Sequence, residues 1–193
     1  MKTKLLIVIL ALCACVWVVA QAQEESQKLV DPGKPDQILL DSLQAKAGQS
    51  IKMGLQVLVD DETSFDGKTW SGVGSFCIPL KYNPSVIKLD SVIFRNMVTQ
   101  WDEKFTNKGI DTGFVSLAGI YTLKGAEKPA IISPDKPLEI ATFFMQIKAG
   151  AKPGKYTFEL TKDPLQGGLY FGSIDGYHSW KPAFTSGKVI VVK

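Results

Sequence analysis

The chain of 193 residues is poor in the side chains on which most catalytic chemistry is built. It has one histidine, His178, so a Ser-His-Asp triad or a histidine-rich metal centre would have to form around that single residue. Its setting, Asp175-Gly176-Tyr177-His178-Ser179-Trp180, reads as a polar loop with no nucleophile elbow and no metal-spaced partner. That pattern argues against an enzyme. Charge of one sign is also missing: 22 basic residues face 19 acidic ones, which excludes the polybasic surface that nucleic-acid binding needs. No stretch keeps a helical period with caps, and there is no internal repeat and no low-complexity linker.

Cysteine is scarce as well, with three in the chain. Two of these, Cys13 and Cys15, fall inside an N-terminal apolar run that starts at Leu5, behind Lys2 and Lys4, and continues to Val19. The run ends on Ala20-Gln21-Ala22, the small-x-small pattern of a signal-peptidase site. It is shorter than the roughly 20 apolar residues of a membrane span. The cysteines sit within it rather than at its end, where a lipoprotein would carry its acyl chain. Residues 1–22 are therefore expected to be a cleaved signal peptide. The product would be secreted to the extracellular space, cell surface or periplasm, with no membrane insertion after cleavage. Removing 22 residues from 193 leaves 171, enough for one domain that folds by packing alone. Two of the 22 basic residues leave with the signal, so the remainder is nearly neutral, at 20 against 19. Cys77 is then the single thiol, so no internal disulfide can form, and it reads as a small apolar residue on a strand.

Residues 23–36 are polar, contain Pro32, Gly33 and Pro35, and are expected to form a flexible leader. Beyond them the apolar residues alternate, the signature of strands with one buried face. Ile51, Met53, Leu55, Val57 and Val59 give the clearest run. Others are Phe76-Ile78-Leu80-Tyr82, Ala141-Phe143-Met145-Ile147, Tyr156-Phe158-Leu160 and the closing Val189–Val192. Ile38–Leu43, Val86–Phe94 and Phe114–Tyr121 are weaker strands, and Ile87–Gln100 has room for a brief helix. Turn signals at Ala47-Gly48, Asn83-Pro84, Asp111-Thr112-Gly113, Pro153-Gly154 and Gly167-Gly168 separate the runs. The expected fold is all-β, a jelly-roll sandwich of about nine strands over residues 37–193.

Three segments resemble one family, the cohesin modules, which are related to carbohydrate-binding domains. Ala47-Gly48-Gln49-Ser50-Ile51 is similar to that family's opening turn. Gly74-Ser75-Phe76-Cys77-Ile78-Pro79-Leu80-Lys81-Tyr82-Asn83-Pro84-Ser85-Val86-Ile87 is similar to its "G-x-F-x-x-x-L-x-Y-D-P-S-V-L" strand and corner. Ile140 to Phe143, with Ile147 to Ala151 and Gly154 to Phe158, resembles its later hairpin. The resemblance implies a sandwich and non-covalent recognition, best known as binding of dockerin modules through one face. This chain departs from the pattern in an insertion, Asp60 to Ser71, and in showing a single module. Independently of the name, Pro84 fixes the end of a strand, Asn83 can bond its own backbone two residues on, and Tyr82 should pack beneath that corner.

Candidate ligand-binding residues are the aromatics in turn-rich segments: Trp180, Tyr177, Tyr170, Trp70 and Trp101. Flat rings with a polar edge suit a sugar face or a protein anchor. The competing reading is that they plug the ends of the sandwich. Asp60, Asp61, Glu62 and Asp66, followed by Gly67, form an acidic loop with oxygen donors suited to calcium, although not in EF-hand register. A solvated loop is the simpler reading. The expected function is a secreted recognition module for a protein partner or a polysaccharide; the alternative is a structural subunit of an extracellular or cell-surface assembly.

Overall fold

Alternation in the sequence becomes alternation in burial. Met53, Leu55, Val57 and Val59 are fully buried, as are Phe76, Ile78 and Leu80, while the residues between them face the other side of their strands. The computed structural model describes residues 34–60, 63–65, 68–70, 72–109, 111–121, 129–174, 176 and 178–193, with 63–65 and 68–70 described by backbone alone. In chain order the first half holds β1 (Gln37–Leu40), β2 (Ser42–Lys46), β3 (Ser50–Val59), β4 (Thr63–Phe65), β5 (Lys68–Trp70), β6 (Ser75–Lys81), β7 (Ile87–Phe94) and β8 (Glu103–Gly109). The second half holds β9 (Phe114–Ile120), β10 (Ser133–Ile147), β11 (Gly154–Thr157), β12 (Glu159–Leu160), β13 (Tyr170–Gly172), β14 (Ser179–Trp180), β15 (Ala183–Thr185) and β16 (Lys188–Val192). A 3-10 turn at Asn96–Gln100 is the one helical element among the described residues, inside the region where the sequence left room for it.

The fold is an all-β sandwich. Sheet one runs β15-β1-β3-β10-β7, and sheet two runs β14-β13-β6-β9-β8, with β12 also on β6. A third, three-stranded sheet runs β11-β16-β2, and the Asp60–Ser71 insertion contributes an antiparallel hairpin, β4-β5. The two larger sheets meet through aromatic rings: Phe76 of sheet two lies 6.5 Å from Phe94 of sheet one, and Phe158 lies 6.3 Å from Phe143 and 5.7 Å from Tyr82. Such tilted contacts suit rings whose faces are negative and edges positive.

The roughly nine expected strands appear as sixteen segments, in part because one- or two-residue steps carry the chain from one sheet to another. β1 pairs in parallel with β15, and β2 in parallel with β16, so two neighbouring strands leave sheet one together. They cross at Asp41 and at Ser186-Gly187. Asp41 donates its backbone N–H to the Gly54 carbonyl (3.1 Å), and its carboxylate accepts from the Gly54 N–H (2.8 Å) and the Gln56 amide (2.9 Å). A Cβ at position 187 would collide with the Asp41 carbonyl oxygen, so only glycine allows the two strands this close at the crossing. Phe158 makes the same kind of step, from β11 on β16 to β12 on β6.

The corner after β6 is built as its residues dictate. Asn83 Oδ1 accepts the Ser85 N–H at 2.9 Å, its carbonyl accepts from Val86 and Ile87, and Tyr82 packs beneath on Phe158. The Tyr82 hydroxyl is buried with no hydrogen-bond partner among the described residues. Along one side of the sandwich, edge strands β7 and β8 are guarded by charge. Lys104 Nζ donates to the Trp101 carbonyl (2.9 Å), Lys108 Nζ reaches the Asp90 carbonyl of β7 (3.4 Å), and Lys88 pairs with Asp90 (2.9 Å).

Asp36, the last residue of the expected leader, lies inside the module at 1 % exposure. Its carboxylate accepts from Trp180 Nε1 (2.9 Å) and the Asp60 N–H (3.2 Å), and its carbonyl accepts from the Ala183 N–H (2.7 Å). Removing a buried acceptor strands its donors, at about 1–3 kcal/mol each. Asp36→Ala should therefore cost about 2–4 kcal/mol in denaturant unfolding and lower the melting midpoint by about 5–10 °C. Asp36→Asn, which keeps an acceptor, should cost less than half as much. Equal losses for both variants would show that the hydrogen bonds are not what holds this end of the sandwich.

Candidate functional site

Strand alternation divides β6 into two rows. Phe76, Ile78 and Leu80 point into the core, so Cys77 and Pro79 point outward from sheet two. Register extends the outward row over four strands: Phe105 of β8 faces Ala118 of β9, Ala118 faces Cys77, and Cys77 faces Tyr170 of β13. The outer face of an antiparallel sheet is ordinarily polar, whereas this row is apolar from end to end. Within the row Phe105 is 43 % exposed and Ile120 (39 %) protrudes beside it, while Cys77 (0 %) and Ala118 (4 %) between the flanking strands are buried.

A short flap interrupts the edge of the same sheet. β12 and β13 lie on β6 as one antiparallel strand would, and the eight residues between Thr161 and Tyr170 leave and rejoin it. Asp163 and Gly167 exchange both backbone hydrogen bonds (2.7 and 2.9 Å), and Asp163 Oδ1 accepts from the Leu165 (2.7 Å) and Gln166 (3.3 Å) N–H groups. This Asx turn holds Leu165 at the tip, 84 % exposed. Asp163 itself is buried, and its charge acts on the Cys77 thiol.

Burial pushes the Cys77 thiol above its ordinary value. The hydrogen bond with Ser116 (Sγ to Oγ 3.7 Å) offsets part of this and the Asp163 charge adds to it. Burial likewise raises Tyr170, with a further contribution from Cys77, and burial alone raises Tyr82. A buried thiol held protonated is a poor nucleophile, in keeping with the structural reading of Cys77.

At the end of this face lies a pocket of about 340 Å³ lined by Ser75, Ile120, Tyr121, Tyr170, Ser173 and His178, with Ser179 at its rim. The β13–β14 hairpin shapes it. Ser173 and His178 close the hairpin through N–H to carbonyl (2.9 Å) and N–H to hydroxyl (3.2 Å) bonds. A Cβ at Gly172 would collide with Ser75 Oγ. Tyr121 is steadied by an edge contact with Trp101, 6.4 Å between ring centres.

Of the aromatic candidates, Tyr170 is half-buried and lines this pocket. Trp101 (2 % exposed) and Trp180 (3 %) present no ring face to a ligand, which corrects the expectation for both. Trp101 packs on Phe76 at 5.4 Å and donates Nε1 to the Pro129 carbonyl; Trp180 sits edge-on to Phe171 and bonds Asp36. Each ring is buried with a hydrogen-bond partner for its one polar atom, so both rings close the sandwich ends. Tyr177 and the Trp70 side chain lie outside the described residues. So do Asp61, Glu62 and Asp66 of the acidic loop; Asp60 is half-buried, with its N–H on Asp36. Leu165 and Phe105 were not singled out by the sequence. An apolar residue between Pro164 and Gln166, in a segment closed by Gly167-Gly168, was the available signal for the first.

No family model matches the chain, and no curated protein matches it. Solved structures do. The fold is similar to a chain of a type I cohesin–dockerin complex from Clostridium thermocellum, at 15 % identity over 82 % of this chain and 100 % of the other, with a TM-score of 0.63. It is similar to a chain of the complex of the third ScaC cohesin with the ScaB dockerin from Acetivibrio cellulolyticus, at 17 % identity, 82 % and 99 % coverage and a TM-score of 0.63. A non-cellulosomal cohesin from the archaeon Archaeoglobus fulgidus matches at 14 % identity, 82 % and 92 % coverage and a TM-score of 0.55. The fold is cohesin-like, as the three sequence segments implied.

The raised acids predict an alkaline limb in stability. A group whose folded value lies above its unfolded one keeps its proton longer in the folded state, so the stability it gives is complete at lower pH and is lost as pH rises. The ordinary values are 9.0 for cysteine and 10.0 for tyrosine, so unfolding free energy should be level below about pH 8.5 and fall above it. Each group adds a slope of up to about 1.4 kcal/mol per pH unit. Cys77→Ala should move the onset about one unit higher. Tyr82→Phe should shallow the remaining limb without loss at neutral pH. Urea titrations from pH 7 to 11 read both, and an unchanged limb in both variants would refute the assignment.

Proposed function

We propose that this chain is an exported, non-catalytic recognition module that holds a protein partner against the outer face of sheet two. The observation that carries the reading is the set of exposed apolar side chains on this face, Phe105, Ile120 and Leu165 on its braced flap, grouped around the buried apolar centre of Cys77 and Ala118. Rigid apolar projections around a packed centre are what a protein interface uses as anchors. Structures of similar fold include chains of cohesin–dockerin complexes, which supports a dockerin-type partner. An extended polysaccharide is served less well, because Trp101 and Trp180 lie in the core. The non-catalytic part of the reading rests on the sequence, with its single histidine and no nucleophile elbow. Export rests on the signal-like residues 1–22.

The test is capture from the organism's exported fraction by Gln23–Lys193, with each captured partner then titrated against surface variants. A partner that binds this face should lose at least tenfold in affinity with Leu165→Asp and with Phe105→Asp. It should be unaffected by Ile93→Asp, which alters an exposed residue on the outer side of sheet one. Loss confined to Ile93→Asp would move the site to the other sheet. Absence of any partner together with self-polymerisation would replace recognition by the structural-subunit reading.

Export makes a separate prediction. Mass spectrometry of the native protein should show a chain beginning at Gln23. An intact chain starting at Met1 in the cytosol would overturn secretion.

A further inference from the structure

From the end of the sandwich that holds the Asn83-Pro84 corner, we infer a second binding site, one that takes a chain of uronic acids, the sugars that carry a carboxylate. Charge that is balanced over the whole chain is not balanced over its surface. β3 begins at this end, and β2, β6 and β10 finish at it. Their turns bring Lys46, Lys81, Lys148, Lys152 and Lys155 here, all exposed. Two open clefts lie side by side among them and share Pro84 as a wall. The first, of about 370 Å³, sets Lys81 and Lys155 beside Glu159 and Thr157. The second, of about 300 Å³, sets Lys88 and Lys148 beside Asp111 and Ser85. Each cleft thus combines a pair of ammonium groups with a carboxylate and a hydroxyl. Lys88 is paired with Asp90 (2.9 Å), whereas no ion pair among the described residues joins Lys81, Lys148 or Lys155 to a carboxylate.

The mixture selects the ligand. Lysines attract any anion and, as point charges, impose no fixed bidentate geometry. A carboxylate in the same cleft repels an anion that brings nothing else, as DNA or polyphosphate does, but it accepts hydrogen bonds from sugar hydroxyls. A uronic acid offers both groups: a carboxylate for the lysines and ring hydroxyls for Glu159 or Asp111. Two adjoining clefts, each at the small end of ligand-pocket volumes, suit a ligand that repeats, and the second contact forms more readily once the first is made. Recognition by charge and hydroxyl needs no exposed tryptophan. The walls are also set before a ligand arrives. The Asn83 carbonyl accepts from the Val86 and Ile87 N–H groups (3.2 and 3.0 Å), the Val86 carbonyl from the Lys148 N–H (2.8 Å), and the Gly113 carbonyl from the Tyr82 N–H (2.7 Å). These bonds join the corner, the turn after β10 and the turn between β8 and β9, so little ordering is needed on binding.

Calorimetric titration of Gln23–Lys193 with pentagalacturonate, pentamannuronate and a hyaluronan hexasaccharide tests the site. Saturable binding of at least one is expected at low salt, weakening at least tenfold as screening rises to about 0.2 M salt. Methyl-esterifying the carboxylates of that oligomer should cost at least tenfold as well. Lys81→Gln combined with Lys155→Gln, and separately Lys148→Gln, should each weaken binding at least fivefold. These side chains are exposed, so unchanged melting certifies the fold of both variants. Lys136→Gln, on an exposed residue at the opposite end of the sandwich, should change nothing. Leu165→Asp, which tests the protein face, should leave uronate binding intact, so the two proposals fail separately. Equal or tighter binding of polyphosphate or of a short single-stranded DNA of the same charge would show attraction to anions in general and overturn the uronate assignment. So would no saturable binding of any of the three oligomers, or binding that survives esterification or the lysine substitutions.

Discussion

One buried carboxylate closes the sandwich. Asp36 reaches three parts of the chain at once: the end of β3 through Asp60, the β13–β14 hairpin through Trp180, and β15 through Ala183. Trp180 is 144 positions away in sequence, so the contact joins the first residues of the module to its last quarter. A carboxylate taken out of water is stable only when its acceptors are used, and here the indole and a backbone amide use them. Because the bond positions β14, it also positions the hairpin that rims the pocket. The parallel pairing of β1 with β15 starts at the neighbouring residue, Gln37 opposite Ala183, so the register of the closing strands follows from the same point.

From that end the architecture proceeds by paired crossings. β1 and β15 travel side by side, and both change sheets where Asp41 lies against Gly187. The exit is stapled by Asp41 to Gly54 and Gln56 of β3, while Phe158 fills the space the crossing opens, against Phe143 and Tyr82. In sheet two, β6 and β9 are central and pair without a break in register, and that register aligns Phe105, Ala118, Cys77 and Tyr170 into a single row.

The periodic part of this arrangement was readable in advance. Ile51 to Val59, Phe76 to Tyr82 and Ala141 to Ile147 all bury the residues that alternation selects, because half-buried strands impose a period of two on composition. The Asn83 turn was likewise local and behaved as its side chain dictates. The crossings at Asp41 and Phe158 were not readable, since neither carries a turn signal and both are set by partners far along the chain. The tryptophans misled for the same reason. Position in a turn-rich segment says nothing of burial when the partner is Pro129 for Trp101 or Asp36 for Trp180. Phe105 lies on a strand whose alternation is blurred by Lys104 and Lys108, so its outward direction emerged only with the register of β8 on β9.

The lysines along β7 and β8 have a wider consequence. Exposed edge strands offer free amides and carbonyls to any passing strand, and charged side chains that cross the edge deny that template. With Lys104 and Lys108 drawn back onto carbonyls at the seam, copies of this domain crowded together, even tethered in a row, do not zip into ribbons along that side.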